Sequence, residues 1–229
     1  IWDPRNESLL ITRDKSGVKP LYYSNSDDNF IFSSEIKSML PLIGRKELNR
    51  NSLNKYLTYL YCPGNETPIK SIFKMNPADV FIIRGGKVVK KLNFNDKFSK
   101  AIKKSTLDFK EQVAQTQNKL RSAVHRQMIS DVPLGAFLSG GLDSTAVVAL
   151  AKEKNPDIQC FTIDSSLDNQ NSKDNDDLNY AKIASEKLDV SLNIVEVSPR
   201  QMANDFERMI WHLDEPIADF SALNVLYIS

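Results

Sequence analysis

Two residue types that build metal and disulfide sites are scarce in this 229-residue sequence: it has only two cysteines and two histidines. Cys62 and Cys160 lie far apart and could bridge, but two reduced thiols in a cytosolic protein is the better reading. His125 and His212 are isolated, and no Cys/His cluster has metal-site spacing. Long apolar runs are missing too. None approaches the ~20 residues of a spanning helix, and the opening IWDPRNESLL lacks the basic start and apolar middle of a secretory signal. Nor is there a charge excess: 30 Lys and Arg stand against 29 Asp and Glu, a net +1, which leaves no electrostatic footprint for nucleic acid or an anionic membrane. No repeat is visible. With 41% hydrophobic residues the chain can bury a real core, so a cytoplasmic globular protein of one or two domains is expected.

What is present falls into two halves. Residues 7 to 33 alternate ESLLITR, VKPLYYS and FIFSS with polar turns, which suits an antiparallel meander. Ser34 is a candidate cap for a short helix through EIKSMLPL, and residues 51 to 61 read as another helix. DVFIIRGGKVVKKLNF is a hairpin, because Gly85 and Gly86 supply the positive φ of a two-residue turn between β-branched runs. Past a Lys-rich linker over 92–106 the period changes. Phe109, Val113, Thr116, Leu120, Val124 and Met128 share one helical face, opened by an Asp108/Glu111 capping box. VPLGAFLS, IQCFTI and LNIVEVS then alternate with helices over TAVVALAKEK and DDLNYAKIASEKL, the pattern of a doubly wound parallel sheet. The expected domains are 1–104, antiparallel α+β, and 105–229, α/β.

The most informative stretch is FLSGGLDSTAVV, residues 137 to 148. A parallel strand that runs through Ser139, Gly140 and Gly141 into a helix aims backbone N–H groups and the helix dipole at an anion. Glycines let backbone approach phosphate oxygens, and Ser139, Ser144 and Thr145 add hydroxyls. Asp143 would repel phosphate unless a Mg²⁺ lies between them. A bare Gly-Gly turn with Asp143 or Ser144 as a helix cap is the plainer alternative. Neither GxxxxGK[ST] nor GxGxxG occurs, so γ-phosphate transfer is not expected.

SGGLDS resembles the pyrophosphate loop of the ATP pyrophosphatases, the adenine nucleotide α-hydrolase-like fold. The wider SDVPLGAFLSGGLDSTAVVAL is similar to the synthetase domain of the glutamine-hydrolysing asparagine synthetases. RDKSGVKPLYYS with FIFSSEIKSML, and TPIKSIFKMNPADVFII, resemble the second half of that family's Ntn-type glutaminase domain, and WHLDEPIADFSA a later part of its synthetase core. The resemblance implies a carbon–nitrogen ligase that uses ATP and Mg²⁺ to adenylate aspartate and amidates it with ammonia from glutamine. It assigns Ser139, Gly140, Gly141, Asp143 and Ser144 to pyrophosphate, with Asp143 and Ser144 catalytic and Asp143 on the metal. Leu138 and Ile163 would flank adenosine. Asp3 would hold the amino group of glutamine, and Asp214, Glu215 and Asp219 would face the amino-acid substrate, with a solvated or capping role open for each of those last three. A homodimer is among the expected assemblies. Relatives acting on other carboxylates (surface sugars, β-lactams, cyclised peptides) and a non-catalytic nucleotide-binding module are the alternatives.

The chain also departs from that pattern. The family's glutaminase uses an N-terminal cysteine; here Ile1 stands first, and neither Cys62 nor Cys160 takes that place. No SGxGxDE motif occurs, NPA at 76–78 replaces proline-glycine, and Leu192 and Asn193 replace a pair that often carries histidine. Both ends interrupt a pattern, so the chain is expected to be an internal piece, inactive alone.

Overall fold

In the computed structural model the residues described are 1–26, 29–95, 105–164, 176–219 and 221–228. They form two compact units, one of Ile1–Lys104 with Ile210–Asp219, the other of Ser105–Met209 with Phe220–Ser229. Most of the Lys-rich linker and the polar loop over 165–175 lie outside the described residues.

The first unit holds β1 (Trp2–Asp3), β2 (Ser8–Thr12), β3 (Tyr22–Asn25), β4 (Phe30–Ser33), α1 (Ile36–Met39), a 3-10 turn (Leu40–Leu42), α2 (Arg50–Tyr59), β5 (Phe73–Lys74), β6 (Asp79–Arg84) and β7 (Lys87–Asn93). Two antiparallel sheets result, in the orders β1-β2-β6-β7 and β4-β3-β5. The period of a strand explains how they pack. Tyr23 points to one face of β3 and meets Phe81 edge-on at 5.1 Å, inside a core with Ile11, Met75 and Ile83. Its neighbour Tyr22 points to the other face and packs with Ile36, Met39 and Ile72.

The hairpin of β6 and β7 turns on Gly85 and Gly86, at φ +52° and +73°. The meander over 7–33 is only partly formed. β3 pairs with β4, but β2 pairs with β6, Ser8 opposite Arg84 and Thr12 opposite Val80. The connection after β2 is not a hairpin turn. The Arg13 guanidinium donates to the carbonyls of Lys19 (2.8 Å), Met75 (2.6 Å) and Gly17 (2.6 Å), and Asp14 accepts from the amides of Val18 and Lys19. This knot carries the chain from one sheet into the other. Nearby, Ala78 holds φ +64°, a conformation that costs a non-glycine residue roughly 1–2 kcal/mol and accounts for glycine there in the resembling pattern.

The second unit holds α3 (Phe109–Gln127), β8 (Gly135–Phe137), α4 (Leu142–Lys152), β9 (Gln159–Asp164), α5 (Asp176–Leu188), β10 (Ser191–Glu196), α6 (Pro199–Asn204) and α8 (Ser221–Ile228). Between the last two runs α7 (Phe206–Leu213), whose residues from Ile210 onward group with the first unit. β8, β9 and β10 are parallel, with Phe137 opposite Phe161 and Asn193 also opposite Phe161. Leu138, Val148, Ile158 and Cys160 form the core with Val124.

Two expectations change here. The strand order is β10-β9-β8, so among the described residues the order never reverses and the switch point of a doubly wound sheet is not present. The capping box of α3 forms, Asp108 accepting from the Glu111 amide at 2.8 Å and Glu111 from the Asp108 amide at 3.1 Å. Its apolar face is packed only at the C-terminal end, where Val124 is buried and Met128 joins the core, while Phe109 is 82% exposed. Residues 109–120 of α3 are all exposed.

Candidate functional site

The loop between β8 and α4 lies at the carboxyl end of the parallel strands, the usual place for a ligand in such a sheet. The Leu138 amide donates to the Phe161 carbonyl at 2.9 Å and prolongs the β8–β9 pairing by one residue, after which the chain leaves the sheet. Gly140 then takes φ +77°. A Cβ there would lie 2.3 Å from the Tyr180 carbonyl carbon and 2.4 Å from the Ala181 nitrogen, both backbone atoms of α5. Only glycine lets the loop rest on that helix.

Gly141 is the N-cap residue of α4 and provides no side-chain cap, so the first amides of the helix are covered by no side chain. The Ser139 and Ser144 hydroxyls are 3.0 Å apart, and Ser144 also donates to the Gly141 carbonyl at 3.2 Å. That orders the pair: Ser139 donates to Ser144. Thr145 places a buried hydroxyl in the same first turn, with no hydrogen-bond partner among the described residues. An orphaned donor, two mutually held hydroxyls and uncapped amides fit a multiply charged oxyanion. Asp143 is exposed in that turn, where a carboxylate is favoured by the helix dipole. Among the described residues no group of three or more His, Cys, Asp and Glu converges.

The other predicted site residues fall in different places. Leu138 is fully buried, so its side chain belongs to the core and only its backbone faces the loop. Ile163, half-buried, is one residue from the end of β9, opposite Val195. Asp3 is in the first unit, where its carboxylate accepts from the Asn6 side chain at 2.7 Å and the Arg5 amide at 3.0 Å. These bonds hold its carboxyl below the ordinary value.

Asp214, Glu215 and Asp219 also group with the first unit. Asp214, at φ +59°, accepts from the amides of Ile36 (3.0 Å) and Lys37 (3.1 Å), and so caps α1. Ser34 does not cap that helix. Glu215 accepts from the Tyr22 hydroxyl at 3.0 Å and the Lys74 ammonium at 2.9 Å. Both cysteines are free and buried, and burial pushes the Cys160 thiol up, away from reactivity. No helix among the described residues is long and apolar enough to cross a membrane.

Residues 115–229, a little over half the chain and inclusive of this loop, match the family model for asparagine synthase. The chain belongs to the asparagine synthase family. Residues 1–94 match the glutamine amidotransferase domain. Asparagine synthetase [glutamine-hydrolyzing] 1 of Bacillus subtilis is 30% identical over the whole of this chain and 35% of its own length. Putative asparagine synthetase [glutamine-hydrolyzing] 2 of Methanocaldococcus jannaschii is 29% identical over the whole chain and 44% of its own length. Amidase chyE of Penicillium rubens is 25% identical, again over the whole chain and 35% of its length. The chain thus spans between a third and a half of these curated relatives.

Two features of the site were out of reach of the sequence. The backbone of Tyr180 and Ala181, which seats Gly140, comes from a helix about forty residues downstream, and no local pattern marks it. The orphaned state of the Thr145 hydroxyl is equally a matter of packing.

Proposed function

We propose that the protein containing this chain makes an amide from a carboxylate, with aspartate as the acid, ATP as the activating nucleotide and glutamine as the source of ammonia. The observation that carries the reading is the uncapped start of α4 beside Gly140, Gly141 and the two serine hydroxyls, in a chain of the asparagine synthase family. The acid's carboxylate oxygen attacks the α-phosphorus, pyrophosphate departs, and ammonia then replaces AMP at the acyl carbon. The family membership supports this chemistry; the loop's part in it is to receive charge. Pyrophosphate gains negative charge as its bond to the α-phosphorus breaks, and donors already aimed at that charge lower the barrier most.

The Gly141 N-cap presents the first amides of α4, and Ser139 rotates its hydroxyl from Ser144 to the departing oxygen. Thr145 finds its missing acceptor in the same group. Gly140 needs no ligand contact of its own; its task is to let the loop close on α5. Mg²⁺, when bound, would neutralise phosphate charge, and Asp143 fits as its single protein carboxylate because this ion keeps phosphates and waters for its other positions. Asp3 would accept the α-amino group of glutamine in the first unit.

The test is Asp143→Ala in the whole protein, with aspartate-dependent exchange of pyrophosphate into ATP and glutamine hydrolysis measured separately. Exchange is expected to disappear and hydrolysis to persist; normal exchange would remove Asp143 from the site. A second reading keeps the loop and changes the acid. Relatives named amidases favour it, and it predicts exchange with a carboxylic acid other than aspartate.

A further inference from the structure

The ten residues Ile210–Asp219 lie inside the asparagine synthase match, yet they pack as part of the first unit, while the chain on both sides of them groups with the second. They are held by more than their apolar side chains. Asp214 closes the N-terminus of α1 through two amides and pairs with Lys37, whose ammonium also donates to the Trp211 carbonyl at 3.1 Å. Glu215 has each carboxylate oxygen taken, one by Tyr22 and one by Lys74. Lys74 donates in addition to the Cys62 carbonyl, and the Ala218 amide to the Leu60 carbonyl at 2.8 Å. The Glu215 and Lys74 side chains are 14% and 18% exposed, so this charge pair has been taken largely out of water and is not a screened surface pair. Beside it opens a cleft of about 230 Å³ bordered by Tyr61 and Ile217.

Both carboxylate oxygens of Glu215 are thus engaged in holding the segment, and Asp214 is committed to a helix end. We infer that the Asp214 and Glu215 carboxylates are positioning residues: they seat this segment in the glutamine-amidotransferase unit, and the seat is what keeps glutamine hydrolysis and amide formation in step. The inference rests on the amidotransferase reading above. Its physical basis is covalent. Residues Phe206–Met209 of α7 group with one unit and Ile210–Leu213 with the other, so the gripped segment is joined to the second unit by the continuous chain of one helix. Neither carboxylate touches a reacting atom.

The test uses the whole protein and variants of the gripping residues, Tyr22→Phe and Lys74→Met, with Lys74→Arg as the conservative control. Three rates are measured: glutamine hydrolysis, amide formation from glutamine, and amide formation from ammonium chloride. Hydrogen exchange at the Ala218 amide reports the seat directly. The expected result for Tyr22→Phe and Lys74→Met is faster exchange at Ala218 and a rise on the order of fivefold or more in glutamine consumed per amide formed, a typical coupling magnitude. Amide formation from ammonium chloride stays within twofold, roughly the noise of the comparison, and Lys74→Arg behaves like the parent. An unchanged ratio with faster exchange overturns the functional part. Unchanged exchange overturns the seat itself. Parallel loss of all three rates reduces the cluster to an ordinary folding contact and also overturns the inference. A parent protein that forms no amide from any acid sinks the amidotransferase reading instead, and the exchange measurement still decides the seat.

Discussion

Gly140→Ala isolates one physical cause and has a built-in control. At φ +77° an alanine costs roughly 1–2 kcal/mol for the left-handed backbone. Its methyl would also sit 2.3–2.5 Å from three atoms of Tyr180 and Ala181, and forcing such overlap into a packed site costs about 1–3 kcal/mol more. The sum is about 2–5 kcal/mol. With a urea slope of ~2 kcal/mol/M, the unfolding midpoint of the second unit should fall by about 1–2.5 M. Its neighbour provides the control. Gly141 has φ −67°, and an added Cβ meets only the Ser139 hydroxyl oxygen at 3.5 Å. Gly141→Ala should therefore cost only what alanine loses to glycine at an N-cap, about 0.5–1 kcal/mol. Urea unfolding followed by circular dichroism measures both, with no ligand present. Equal stability of the two variants, or a Gly140→Ala loss under about 1 kcal/mol, would refute the close approach of loop and helix. Pyrophosphate exchange should fall in Gly140→Ala because a loop pushed off α5 no longer aims its amides.

Asp108→Ala removes the capping box of α3 and should destabilise by about 1 kcal/mol, with loss of helical signal confined to the exposed first turns; denaturation and amide exchange over Phe109–Gln127 would check it. The Asp3 carboxyl should titrate below its ordinary 3.8, because the Asn6 side chain first and the Arg5 amide second favour the charged form. A depressed folded value makes this contribution fully present above pH ~3.8 and lost as pH falls through the lowered one. Asn6→Ala should move the titration, followed by carboxyl NMR shifts, back toward 3.8.

Much of the local structure was legible because it obeys short-range rules. The Gly85–Gly86 turn needs positive φ at two adjacent residues, and a β-branched run flanks it on either side. The α3 capping box spans four residues, and each strand–helix–strand step of the second unit is written in a change of period. The phosphate-type loop was readable for the same reason: glycines, hydroxyls and a following helix are consecutive.

What resisted was pairing at a distance. Nothing within residues 7–33 reveals that β2 will pair with β6, because the Arg13 knot that diverts the chain closes on the Met75 carbonyl. How much of the α3 face is covered depends on what other segments pack against it, and Val124 is its buried residue. Composition and motif determined on their own that the chain builds an antiparallel half and a parallel half and carries a glycine- and serine-rich strand-to-helix loop inside a stretch of the asparagine synthase family. Only the tertiary structure decided that Gly140 rests on the backbone of α5, that Leu138 turns inward, and that Asp214 and Glu215 are bound to α1, Tyr22 and Lys74. Hydrogen-bond partners and steric contacts are selected by the folded neighbours of a residue, and a carboxylate in a sequence reads the same whether it will meet a substrate or a helix end.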